Sequence, residues 1–200
     1  SPEIVYEIFI QFKNIFSYGG QIRRKFSLPS LVNTIISFSH KLIICYEHKA
    51  NKIPKNININ KKRIKEIIKS INIDKITNNE IFLKIMSNIF KLLNETINLI
   101  SQENAEVGFK LNIYCASLVN EINIEKEKFS EFCLSFINRA LDLLELNPDL
   151  NKVNLIQYLS SYLINYNIIT PEQKNKLMNT FIKIDEEMEN REEQFNLILI

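Results

Sequence analysis

The sequence contains no tryptophan, three glycines, five prolines, two histidines and three cysteines among its 200 residues. Sheets reverse direction through tight turns that draw on glycine and proline, so this scarcity excludes a strand-rich fold and points to long helices joined by polar loops. Cys45, Cys115 and Cys133 are odd in number, far apart and set in apolar periodic segments without a C-x-x-C pair. That is the pattern of buried reduced thiols in a cytosolic protein, not of a disulfide framework. A surplus of one charge is missing too: 25 Lys and Arg stand against 23 Asp and Glu, too even a balance for a nucleic-acid footprint. No apolar run is expected to reach the ~18 residues of a membrane span. Ser1 to Gln11 has no basic region ahead of its apolar residues, so no signal peptide is expected. The chain lacks an initial methionine and stops on Asn196-Leu197-Ile198-Leu199-Ile200, and on that ground is expected to be a piece of a longer protein.

What the chain does have is apolar periodicity, in enough hydrophobic residues (46%) to bury one continuous core. Ile81, Ile85, Ile89, Leu92, Leu93, Thr96 and Ile100 fall at three- and four-residue spacing, the stripe of an amphipathic helix. The same period runs through Val107 to Ile122, Phe129 to Leu144 and Ile156 to Tyr166. Thr77 with Glu80, and Thr170 with Gln173, fit capping boxes in which two side chains satisfy each other's free backbone N–H groups. Pro171 suits a first helical position. Eight helices are predicted, roughly over 3–17, 30–48, 61–72, 79–101, 105–121, 126–146, 150–166 and 171–189. Every second one begins near 30, 79, 126 and 171, a step of about 45 to 49 residues that is close to the length of a HEAT-type helical hairpin. A closed bundle would show similar stripes but has no reason to repeat at fixed length. The expected fold is therefore all-α, a single HEAT-like α-solenoid segment over 1–200 built of antiparallel helical hairpins, about eight helices and no strand.

Groups that carry chemistry are sparse. Cys45 and His48 share one helix face, yet no second ligand pair accompanies them, so a zinc site is not expected. His40, among Ser37, Phe38, Ser39 and Leu42, reads as a packed helix residue. Gly19-Gly20 is followed by neither GK[ST] nor GxGxxG and signals no phosphate loop. The acidic run from Asp185 to Glu193 encloses Arg191 and fits a solvated helix face. The lysine-rich stretch around Ile53 to Asn60 is open to two readings, a solvated linker between hairpins or a basic loop facing phosphate or an acidic partner. No catalysis, cofactor or metal is expected of this chain.

One stretch breaks the regularity: Tyr18-Gly19-Gly20-Gln21-Ile22-Arg23-Arg24-Lys25-Phe26-Ser27-Leu28-Pro29, which holds two of the three glycines and three consecutive cations. As a corner, its glycines can take positive φ to end one helix while Pro29 starts the next. Arg23, Arg24 and Lys25 then either tie to the end of the first helix and to neighbouring acids or meet a partner, and Phe26 and Leu28 anchor the corner in the core. This stretch, with Ser30-Leu31-Val32 after it, resembles the C-terminal half of the large retromer subunit family, in which Gly-Gly, a short basic stretch and an aromatic-[ST]-Leu-Pro lead into a helix. Ser30 stands where that pattern carries a second proline.

The resemblance implies a non-catalytic scaffold segment of retromer in endosomal cargo sorting and retrograde or recycling transport. Its implied partner is the phosphoesterase-like retromer subunit (vacuolar protein sorting-associated protein 29). In the full assembly the arrestin-like subunit, a Rab GTPase and sorting nexins join it, with cytoplasmic localisation, peripheral association with endosomal membranes, and membrane contact only indirect. A generic HEAT-type adaptor or transport-receptor fragment unrelated to retromer is the alternative. Helix 1 is apolar nearly all round, beyond what one neighbouring helix can bury. Part of that excess belongs to a preceding repeat, and the rest nominates Phe12 and Phe16 as partner anchors, with Arg23 and Arg24 steering an acidic rim.

Overall fold

The computed structural model describes residues 1–49, 79–122, 126–147, 149–163 and 166–186. Among them are seven α-helices and no strand: α1 (Pro2–Ser17), α2 (Gly20–Lys49), α3 (Asn79–Glu103), α4 (Ala105–Asn120), α5 (Lys126–Leu146), α6 (Lys152–Leu163) and α7 (Pro171–Glu186). The helix predicted over 61–72, the Thr77 capping partner and the lysine-rich stretch lie outside the described residues. The fold is all-α, made of the successive helices that a HEAT-like solenoid requires. It divides into two compact units, Ser1–Glu103 and Asn104–Ile200.

In the first unit α2 is the central rod, packed on both α1 and α3. Its 30 residues span about 45 Å at the α-helical rise. Leu28, Leu31, Val32, Ile35, Ile36, Leu42, Ile43 and Tyr46 are buried at helical spacing, which fixes the inward face. On α3, Phe82, Met86, Ile89, Phe90, Leu93 and Ile97 form the opposing surface. Rings join the layers: Phe9 meets Phe38 edge-on at 5.5 Å, and Tyr46 stacks on Phe82. The buried hydroxyls of Ser39 and Thr96 donate back to the carbonyls of Ile35 and Leu92, so neither leaves an unmet polar group. By length and composition α2 is long and apolar enough to cross a membrane, contrary to the expectation that no segment reaches that length; half of the qualifying window is buried inside the unit.

In the second unit α4 packs on α5 and on α6. Phe109, Ile113, Ala116 and Val119 face Phe129, Cys133, Phe136, Ile137 and Ala140, all buried. Asn104 caps α4, its Oδ1 accepting from the Val107 N–H at 3.0 Å. The predicted box at α7 forms as expected. The Thr170 N–H donates to Gln173 Oε1 at 2.7 Å and the Gln173 N–H to Thr170 Oγ1 at 3.3 Å. α6 is described as far as Leu163, and Tyr166, which its stripe includes, already stands outside the helix. The chain then turns, and the N–H groups of Asn167 and Ile168 both donate to Asn120 Oδ1, while Tyr166 Oη reaches the Ile113 carbonyl at 3.1 Å. A side-chain amide thus takes two backbone donors that a further helical turn would have used.

The corner after α1 also departs from expectation. The loop predicted over 18–29 shrinks to Tyr18 and Gly19, because α2 begins at Gly20 and runs through Pro29. Only one N–H is lost at Pro29, and a flanking length of helix on each side holds the remaining ladder. The later helix starts, at 79, 126 and 171, keep the predicted step, whereas the first moves forward from 30 to 20.

Candidate docking surface on the first helix and its corner

Among the corner glycines, only Gly20 takes a left-handed φ, +76°. Gly19 serves differently: a Cβ there would lie 2.2 Å from Arg23 Cδ, so the bare backbone gives room for the Arg23 stem. The α1 end closes with the Tyr18 N–H on Asn14 O and the Gly19 N–H on Phe16 O, each at 3.3 Å.

From this corner α2 sets the phase of its side chains. Leu28 is fully buried, as expected of a corner anchor. Phe26 is not, which overturns its assignment to the core. Two residues before Leu28 on a helix is about 200° round the axis, so once the stretch is helical Phe26 must point away from the face that Leu28 and Leu31 bury. Tyr18, Ile22 and Phe26 are 90, 81 and 72% exposed, the most open run of large apolar side chains in the first unit. Ile22 and Phe26, four residues apart on α2, share its outward face, whereas Tyr18 precedes the helix as the C-cap of α1; a helix start at Pro29 hides that phase.

The four residues nominated from sequence do not form one cluster. Phe12 and Phe16 do meet, rings stacked at 5.7 Å and 25° on α1. Phe12 is exposed and Phe16 half-buried. Ile4, Ile8 and Ile15 are exposed with Phe12, and together with the stems of Glu7 and Gln11 they line a shallow groove of about 360 Å³. Arg24 instead turns inward, its Nη2 3.1 Å from Glu103 Oε1 with both side chains mostly buried, which fastens the start of α2 to the end of α3. Lys13 and Glu95 make a second tie between α1 and α3. Arg23 and Lys25 stay exposed. On α1 itself, burial first, then the carboxylates of Glu7 and Glu95, raise the Tyr6 phenol above its ordinary value, so it stays neutral.

The three cysteines are buried and none forms a disulfide. Burial raises the Cys115 thiol and pushes Cys133 up to about 12, which removes the thiolate that a nucleophile or ligand needs. Among the described residues no group of three or more His, Cys, Asp or Glu could hold a metal. The side chains of His48 and of the acidic run lie outside the described residues.

A family model for vacuolar protein sorting-associated protein 35 matches residues 1–200, the whole chain. The chain belongs to the vacuolar protein sorting-associated protein 35 family. No curated protein and no solved structure matches it significantly. Membership makes this a segment of the retromer large subunit, a trafficking scaffold in endosomal protein transport whose partners are retromer proteins. It also removes the alternative of an adaptor unrelated to retromer. Within that family's pattern, the Gly-Gly-basic-Ser-Leu-Pro stretch is the helical corner just described, with one glycine at positive φ and one arginine bound to Glu103.

Proposed function

We propose that this segment is a non-catalytic platform for the phosphoesterase-like retromer subunit, with the outer face of α1 as the contact. The observation that carries the reading is the row Ile4, Ile8, Phe12 and Ile15, left exposed on a helix whose other face already packs on α2 and α3. Four large apolar side chains in line on one helix are costly to hydrate and are the kind of surface that interfaces cover. Phe12 is the anchor, held by its stack on Phe16 and so entering the interface with little rotamer freedom to lose. Arg23, free of Glu103, steers an acidic rim. Arg24 serves the same surface indirectly by fixing the corner. The whole complex is then recruited peripherally to endosomes from the cytoplasm, through the arrestin-like subunit, a Rab GTPase and sorting nexins.

The test is a pull-down and calorimetric titration of the chain against the purified phosphoesterase-like subunit. Saturable binding that Phe12→Ala weakens supports the assignment. Absence of binding by a properly folded chain would remove it.

A further inference from the structure

From Ile8 to Tyr46 the chain carries Lys13, Arg23, Arg24, Lys25 and Lys41 and not a single Asp or Glu. Within that acid-free stretch lies the corner where Tyr18, at the end of α1, and Ile22 and Phe26, at i and i+4 on α2, stand most exposed. Arg24 is spent on Glu103. Arg23 and Lys25 are exposed, and neither makes an ion pair among the described residues. On a helical wheel they fall on either side of the Ile22–Phe26 row, each about 80° from its centre line. The result is a short apolar ridge bracketed by two cations that make no ion pair among the described residues.

We propose that this corner docks directly on an anionic lipid surface, inserting Ile22 and Phe26 at the headgroup boundary with Tyr18 at the rim and Arg23 and Lys25 on lipid phosphates. Three features favour a bilayer over a protein. First, the side chains protrude from the tip of a helical corner instead of lining a recess, and a protruding apolar group is buried most readily by a medium that deforms around it. Second, a tyrosine beside aliphatic and phenylalanine side chains suits a boundary that is apolar on one side and wet on the other. Third, the charge is complementary to the anionic leaflet: the 8–46 stretch has no acid of its own, and while Lys13 and Arg24 are matched by Glu95 and Glu103, Arg23 and Lys25 make no ion pair among the described residues. Gly19 contributes by letting the Arg23 stem lie along the backbone, which sets where its guanidinium emerges. The contact is weak on its own, because two cations and a three-residue ridge amount to less than the two full anchoring signals that stable attachment needs. It would orient a protein already brought to the membrane. This contact shares Arg23 with the α1 surface but none of its apolar row, so Lys25 and Phe26 distinguish the two, and it adds a direct membrane contact to the indirect one expected from sequence.

The absence of tryptophan makes the test clean. In Phe26→Trp the new indole is the sole tryptophan, so its emission reports on the corner alone. The full chain carrying Phe26→Trp is titrated with vesicles of phosphatidylserine and phosphatidylcholine, and with vesicles of phosphatidylcholine alone. The expected result is a blue-shifted emission on the anionic vesicles only, and a roughly fivefold loss of partitioning for each of Arg23→Glu and Lys25→Glu added to it. Circular dichroism verifies that each variant keeps its helices. Emission unchanged on both vesicle types overturns the proposal, as does a shift that is equal on neutral vesicles and indifferent to Lys25→Glu. If Phe26→Ser instead abolishes capture of the phosphoesterase-like subunit and leaves vesicle flotation unchanged, the corner is a protein contact and the lipid assignment is wrong.

Discussion

Replacing Phe12 with alanine separates the docking role of α1 from its folding role. A phenylalanine side chain buries on the order of 200 Å² when fully covered, and Phe12 is 44% exposed in the free chain. About 90 Å² therefore remains for a partner to cover. At about 25 cal/mol per Å² this contributes roughly 2 kcal/mol to binding, or close to thirtyfold in Kd. The half already covered lies partly against Phe16, so losing the stack and that contact should also cost the free fold about 1 kcal/mol. That cost is spread along α1 and leaves α2 and α3, which hold the unit's buried core, in place. The assay is calorimetry against the phosphoesterase-like subunit, run well below the thermal midpoint, with circular dichroism on each sample. Phe16→Ala, at a half-buried position, should shift the balance toward lost stability and away from lost affinity. An affinity within twofold of wild type for a fully helical Phe12→Ala chain would refute the area argument and move the contact off this face.

Much of this surface was legible in the sequence, and its failures are informative. The stripes of α3, α4 and α5 gave their helices to within two residues, because each buries one continuous face whose period has no competitor. The Thr170–Gln173 box was legible for the same reason: its chemistry is entirely local. The corner misled because Gly-Gly and Pro, ten residues apart, both look like boundaries, and only one of them is. Pro29 loses a single N–H in a rod that α1 and α3 hold on both sides, so packing overrode the local signal. With the helix start misplaced, the phase of Phe26 could not be read, and an exposed ridge was taken for core. Arg24 shows the complementary limit: its acid, Glu103, lies 79 positions away, and no local pattern announces such a pair. The non-helical course of Asn167 and Ile168 has the same origin, since Asn120, 47 and 48 positions away, accepts from both backbone N–H groups.

The remaining consequences can be checked on the isolated chain. Gly20→Ala puts a Cβ on a residue at φ +76°, which should cost about 1 to 2 kcal/mol in denaturant titration; an unchanged midpoint would show that the corner relaxes freely. Arg24→Met leaves the mostly buried Glu103 without its partner and should cost on the order of 3 kcal/mol, whereas Arg24→Met with Glu103→Leu should recover most of it. If the double variant is as unstable as the single, the pair is not the source of the loss. Thr170→Ala should cost about 1 kcal/mol by opening the α7 cap, read as a lower midpoint for the second unit. The last expectation concerns alkali. Cys133 is raised by burial from its ordinary value of 9.0 to about 12, and Cys115 and Tyr166 are raised by the same cause, within the same unit. Each is neutral when protonated and ionises more readily in the unfolded chain. Their contribution is therefore complete below about pH 9, falls as pH climbs toward 12 for Cys133, and cannot be lost on the acid side. Denaturant midpoints followed from pH 8 upward should fall steeply above pH 9, and Cys133→Ala, though less stable near neutrality because of the cavity it leaves, should show a shallower fall. An identical alkaline slope in that variant would mean that the Cys133 thiol ionises as easily folded as unfolded, and that burial between α4 and α5 does not hold its proton.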